Sequence, residues 1–193
     1  MKKQKIIGLA EVALFSAIAF VLDLLATLYS GFFPSGGSIS LAIIPIVILS
    51  FRRGPLAGVI GGLIVGLLDL TDGFYTVADT WYNSIFQIGL DYIFTYMLVG
   101  AIGLFKPLIK KININVLIPI ATFVAGLLKY LSHFLSGILF WPQFPNQPLG
   151  DRIAYSLVYN GGFMIPTIVV TVILSVVLVL KFKKLFLIEK ESI

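Results

Sequence analysis

Gly126-Leu-Leu-Lys-Tyr-Leu-Ser-His-Phe-Leu-Ser-Gly-Ile-Leu-Phe-Trp141 decides how the rest of the chain is read. It lies in an apolar segment long enough to cross a membrane, yet it carries Lys129, Gly137, Trp141 and the chain's one histidine, His133. These four recur every fourth residue, so on an α-helix they form one slowly drifting stripe. A charge within hydrocarbon costs at least about 2.5 kcal/mol, and its usual reason is function. The stripe runs toward the Pro/Gln/Asn-rich stretch Trp141-Pro-Gln-Phe-Pro-Asn-Gln-Pro148, as expected of the wall of a polar pocket open to one side of a membrane. Taken singly, a lysine can snorkel, a histidine can bond a carbonyl and a tryptophan can anchor at the interface. All of them on one helix face point to a binding site.

Composition sets the class. The chain has 193 residues, of which 59% are hydrophobic and 12% charged, with a mean hydropathy of +1.03. A soluble domain cannot hide that much apolar surface, so a polytopic, all-α membrane protein is expected. Cysteine is absent, which excludes disulfides, thiolate metal sites and cysteine nucleophiles. The net charge of +5 is no nucleic-acid footprint, because the basic residues fall in short clusters at helix ends. Met1-Lys-Lys-Gln-Lys5 and the apolar run behind it resemble a signal peptide, but the run is too long and reads as a first span.

Punctuation by Gly, Pro and charge divides the chain into six helices within one membrane domain spanning residues 1–193. The first runs from about Ile6 to Tyr29 and the second from Ile39 to Phe51. The second is too short for a ~30 Å core and contains Pro45, so protein must shield it. Arg52-Arg53-Gly54-Pro55 turns the chain into a third helix, Leu56 to Leu70, with Gly58, Gly61, Gly62 and Gly66 as a close-packing surface. The fourth covers Asn83 to Phe105, the fifth Val116 to Trp141, and the sixth begins near Ile153 and ends at Lys181. Of fourteen Lys and Arg residues, twelve lie at the N-terminus, the 2–3 turn, the 4–5 turn and the C-terminus. All four places share one side of a six-helix topology, so both termini are expected in the cytoplasm, with the pocket mouth outside.

Outer-half polar and aromatic residues then gather as candidates: Tyr75, Trp81, Tyr82, Asp91, Tyr92, Tyr155, Tyr159 and Asn160. Asp91 with Lys129 and aromatic rings suits a flat, cationic, nitrogen-rich ligand. A plain Asp91–Lys129 ion pair between helices is the structural alternative. Asp23, Glu11, Asp69 and Asp72 carry less weight; Glu11 sits where it can reach water, and the last two mark a helix end where solvation is expected. Enzyme signatures, metal-ligating pairs and a phosphate-cradling loop are missing, so no cofactor is implied and the chain cannot itself be an ATPase. An intramembrane enzyme using His133 with Asp91 is the competing reading of a different class.

Gly37-Ser-Ile-Ser-Leu-Ala-Ile-Ile-Pro45, Phe51-Arg-Arg-Gly-Pro55, Leu90-Asp-Tyr92, the helix-five stripe and Tyr155-Ser-Leu-Val-Tyr-Asn160 together resemble the thiamine-specific S-component of energy-coupling factor (ECF) transporters. The resemblance covers nearly the whole chain. It implies a six-helix substrate-binding subunit in a bacterial cell membrane, working with a transmembrane coupling protein and two cytoplasmic ATPases. It would put thiamine contacts on Lys129, His133, Gly137, Trp141, Tyr155 and Asn160, and the acidic residue opposite the thiazolium on Asp91, followed by Tyr92. Some family members carry a glutamate where this chain has the shorter Asp91. Phe32 and Phe33 are the aromatic residues that the first outer loop offers, and neither is assigned. The family's Ala-x-x-x-Ala coupling motif would fall on Ala13 and Ala17, a shallow groove for a partner helix. Carriers of another flat heterocycle, of riboflavin or thiamine-pyrimidine type, are the nearest alternative.

Overall fold

The computed structural model describes residues 2–28, 32–33, 37–78, 80–140 and 147–188. Helices dominate: α1 (Lys2–Thr27), α2 (Ile43–Arg53), α3 (Pro55–Asp72), α4 (Trp81–Ile88), a π turn (Gly89–Phe94), α5 (Thr95–Ala101), a 3-10 segment (Ile102–Lys110), α6 (Ile114–Phe140) and α7 (Leu149–Lys181). The segments Lys3–Thr27, Pro55–Asp72, Trp81–Lys110, Ile114–Phe140 and Leu149–Lys181 are long and apolar enough to cross a membrane. With α2 they account for the six expected helices, in the expected order.

The second helix starts later than its sequence suggests, at Ile43 rather than Ile39, because Ser40 is used elsewhere. Its hydroxyl bonds the Asp23 carboxylate and accepts from the Ala42 amide. At about 1.5 Å per residue, α2 is roughly 16 Å long and cannot span a bilayer. Every residue from Ile43 to Phe51 is buried, so the expected shielding by protein is present. Gly54 ends α2 at φ 97°, and Pro55 opens α3 at once.

The α3 glycines explain how the bundle closes. A Cβ on Gly58, Gly62 or Gly66 would collide with the carbonyl oxygens of Gly100, Tyr96 and Tyr92, respectively. Both sets recur every fourth residue, so α3 lies backbone-to-backbone along the π turn and α5. Gly61 faces Leu49 of α2 and Ser16 of α1 instead. Extensive contact between α6 and α7 completes the bundle.

Helix ends sort by charge. Glu11 pairs with Arg52 at 2.9 Å and with Arg53 at 2.6 Å. Arg52 also donates to the carbonyls of Lys184 and Leu187, and Lys106 Nζ donates to the carbonyl of Arg52. The Arg52-Arg53 turn, the segment carrying Lys106 and the C-terminal segment therefore converge at one end of the molecule. Glu11 is paired there rather than directed to water. At the other end, Arg152 donates to the carbonyls of Ile138 and Leu139, closing α7 on α6.

Candidate functional site

A cavity of about 340 Å³ opens at the end opposite the basic cluster, within the range of small-molecule sites. Its walls come from α1, the 1–2 connection, α3, the loop before α4, α4, the π turn, α5, α6 and α7. Of the expected site residues, Asp91, Tyr92, Lys129, His133, Gly137, Tyr155 and Asn160 all line it. Trp141 lies outside the described residues.

Asp91 is the hub. Its Oδ1 faces His133 Nδ1 at 3.1 Å, and its Oδ2 accepts from Ser136 at 2.6 Å. The alternative of an Asp91–Lys129 ion pair is therefore not what forms. Residues three apart on a helix share a face, so His133 and Ser136 both reach the carboxylate that faces α6. Lys129, 5% exposed, holds its amine 3.7 Å from the centre of the Tyr96 ring, a cation–π contact. At longer range the amine is attracted by Asp23, Asp69 and Asp91 together. Asp23 and Asp69 lie close to each other and to Tyr96.

Helix seven supplies the opposite wall. Asn160 sends its amide hydrogens to the carbonyls of His133 and Ser156 and to the Ser156 hydroxyl, and its own carbonyl oxygen can only accept. Gly137 lacks a Cβ for a packing reason: one would collide with Ser156 and crowd Asn160. Tyr155 and Tyr159 stack, with ring centres 5.8 Å apart and planes 6° from parallel. Phe163 meets Tyr159, His133 and Phe33 edge-on. Phe33 thus backs Phe163 without lining the cavity itself, whereas Phe32 is 82% exposed.

The loop between α3 and α4 is stapled across the opening. Tyr92 Oη accepts from the Tyr75 amide at 2.8 Å, and the Gln87 side-chain carbonyl accepts from Thr76, Val77 and Ala78. Two expectations fail here. Trp81 and Tyr82 stay outside the cavity, largely exposed and edge-on to each other, because α4 is amphipathic and turns Gln87 inward. Asp69 and Asp72 are not merely solvated helix-end charges; with Asp23 they line the cavity. Ala13 and Ala17 lie on the exposed outer side of α1, while Ser16 and Ala19 face inward.

Residues 9–187 match the family described as "Thiamine transporter protein (Thia_YuaJ)". The chain belongs to the thiamine transporter family. Among relatives, it is 31% identical over 180 residues to "Thiamine transporter ThiT" of Bacillus subtilis (strain 168), covering 89% of this chain and 90% of that one. It is 30% identical over 152 residues to "Thiamine transporter ThiT" of Lacticaseibacillus paracasei, covering 75% and 74% of the two chains. The solved structure of ThiT from Listeria monocytogenes superposes with a TM-score of 0.75 at 27% identity, covering 96% of this chain and 100% of that one. A thiamine transporter family protein is a bacterial membrane protein, and the family is one of transporters rather than enzymes. The enzyme reading built on His133 and Asp91 is set aside on that ground.

Proposed function

We propose that this protein is the thiamine-binding S-component of an ECF vitamin uptake transporter. It captures thiamine from outside and passes it through a transmembrane coupling subunit driven by two cytoplasmic ATPase subunits. The observation that carries the reading is the chemistry of the cavity. Asp23, Asp69, Asp72 and Asp91 face it against the single amine of Lys129, and Tyr155, Tyr159 and Phe163 supply flat aromatic surface. Thiamine is a flat molecule with a permanent positive charge on its thiazolium and an amino group on its pyrimidine. Carboxylates offset that charge and accept from the amino group, while rings stack on its faces.

Within this reading, Asp91 opposes the cation beside Tyr92, and Trp141 and Tyr155 give stacking surface. Lys129, His133 and Asn160 fix polar groups, and Gly137 lets α6 and α7 approach so that Asn160 reaches the site. Nothing in the site does chemistry on the substrate; it binds and releases. Residues 1–193 act as one six-helix unit in the bilayer, with both termini cytoplasmic, and Ala13 and Ala17 meet the coupling subunit. Calorimetric titration of thiamine into the purified protein tests the proposal, with saturable one-to-one binding and unchanged thiamine recovered afterwards as the expected result. No binding of thiamine to the wild-type protein would refute it.

A further inference from the structure

The helix that carries Asp91 is irregular just where the carboxylate leaves it. Gly89–Phe94 is a π turn set between α4 and α5, a rare widening of the helix often found at functional sites. Two neighbours hold this turn. On the α3 side, a Cβ added to Gly66 would come within 2.5 Å of the Tyr92 carbonyl oxygen, so the two backbones are in direct contact. On the α6 side, Ser132 Oγ donates to the Leu90 carbonyl at 2.6 Å. One turn further along α6, Ser136 Oγ donates to Asp91 Oδ2, also at 2.6 Å.

Those two hydroxyl bonds run between helices, as do those of the buried Ser16, Ser50 and Ser156 elsewhere in the bundle. A buried serine or threonine in a helix commonly returns its proton to a carbonyl one turn back. Thr122 does so to Ile118 on α6 itself, as do Thr167 and Thr171 to carbonyls four residues back on α7. Ser132 and Ser136 are each only 2% exposed, yet both donate across to the neighbouring helix. We propose that they are positioning residues of the ligand site: Ser132 pins the π turn, and Ser136 fixes the carboxylate that the turn presents. This inference rests on the reading that Asp91 faces the ligand.

A carboxylate offers about four lone-pair sites. With His133 on one oxygen and Ser136 on the other, each oxygen keeps one site for a donor or cation entering the cavity. The acceptor pair is oriented before the ligand arrives, so binding does not have to order it. Ser136 also lines the cavity. The test must therefore separate action through Asp91 from direct contact with the ligand.

A double-mutant cycle in the purified full-length protein does so, with thiamine affinity as the readout. Ser136→Ala should weaken binding about tenfold, as loss of a hydrogen bond to a charged group implies. Ser136→Cys, which keeps the size but donates weakly, should move the same way. In an Asp91→Asn background either change should alter affinity less than twofold. Ser132→Ala should speed hydrogen exchange of the amides of residues 89–95 in the ligand-free protein. Wild-type affinity in both Ser136 variants overturns the inference, and so does an undiminished loss in the Asp91→Asn background. If the wild type binds thiamine but Asp91→Asn does not weaken it, this inference falls and the transport function stands. If the wild type fails to bind thiamine, both fall.

Discussion

At the basic end of the bundle, charges close on one another. Glu11 is held between Arg52 and Arg53, and Arg52 and Lys106 spend further protons on backbone carbonyls. At the cavity end, the buried amine of Lys129 has no carboxylate within 4 Å among the described residues, although Asp23, Asp69 and Asp91 all face it from farther off. Both ends place ionisable groups where burial is costly. The first satisfies them with its own atoms and so works as scaffold. The second leaves a space between them, ringed by unlike charges and aromatic faces, which on the proposed function a ligand completes.

The two ends should face opposite sides of the membrane. A cysteine at Asn146, in a chain with none of its own, should be labelled by an impermeant maleimide only from outside, because the basic end is drawn to the cytoplasm. Labelling only from the cytoplasmic side would invert the topology. Next in size is the stacking surface. Trp141→Ala should raise the thiamine Kd at least roughly thirtyfold, as loss of a central aromatic anchor does. His133→Ala should cost less, since it removes a hydrogen-bonding group rather than a large face. Equal affinity in wild type and Trp141→Ala would remove the aromatic from the site.

The scaffold end should respond in the opposite way. Glu11→Ala leaves two guanidinium groups side by side without their counter-charge, so stability should fall by about 1–3 kcal/mol, read from thermal or denaturant unfolding. Thiamine affinity should stay within twofold, and a large affinity loss would show that the two ends are not separate. Smallest of all on affinity is Ala13→Trp, which should leave binding unmoved while reducing uptake, since only the outer face of α1 changes. Uptake at the wild-type level would remove that face from the coupling surface.

Much of this arrangement was legible in the sequence because its signals are periodic. Lys129, His133 and Gly137 share a helix face by spacing alone, and the basic clusters at alternate turns imply the common end that Glu11, Arg52 and Lys106 occupy. The unread parts depend on how helices meet. Asp23 and Asp69 look like ordinary helix-end charges until the packing of α1 on α3 turns both toward Lys129. Ser132 and Ser136 look like small packing residues, and no local pattern foretells a π turn, which is set by the helices on either side. Gly137 was expected at the ligand, yet its missing Cβ also makes room for Ser156 and Asn160. Trp81 and Tyr82 misled because an aromatic near a polar loop suits both a pocket and an interfacial anchor.

The short α2 bears on how the chain is made. A segment of 11 residues is too brief to partition into lipid alone when it emerges from the ribosome. Its membrane entry must be coupled to that of α3, which follows after only Gly54 as a hairpin arm. Its burial is complete only when α5, α6 and α7, all of which touch it, have been synthesised. Nascent chains halted just after Asp72 should therefore leave α2 open to protease, and protection should arrive only with the later helices. Early protection would show that α2 inserts unaided.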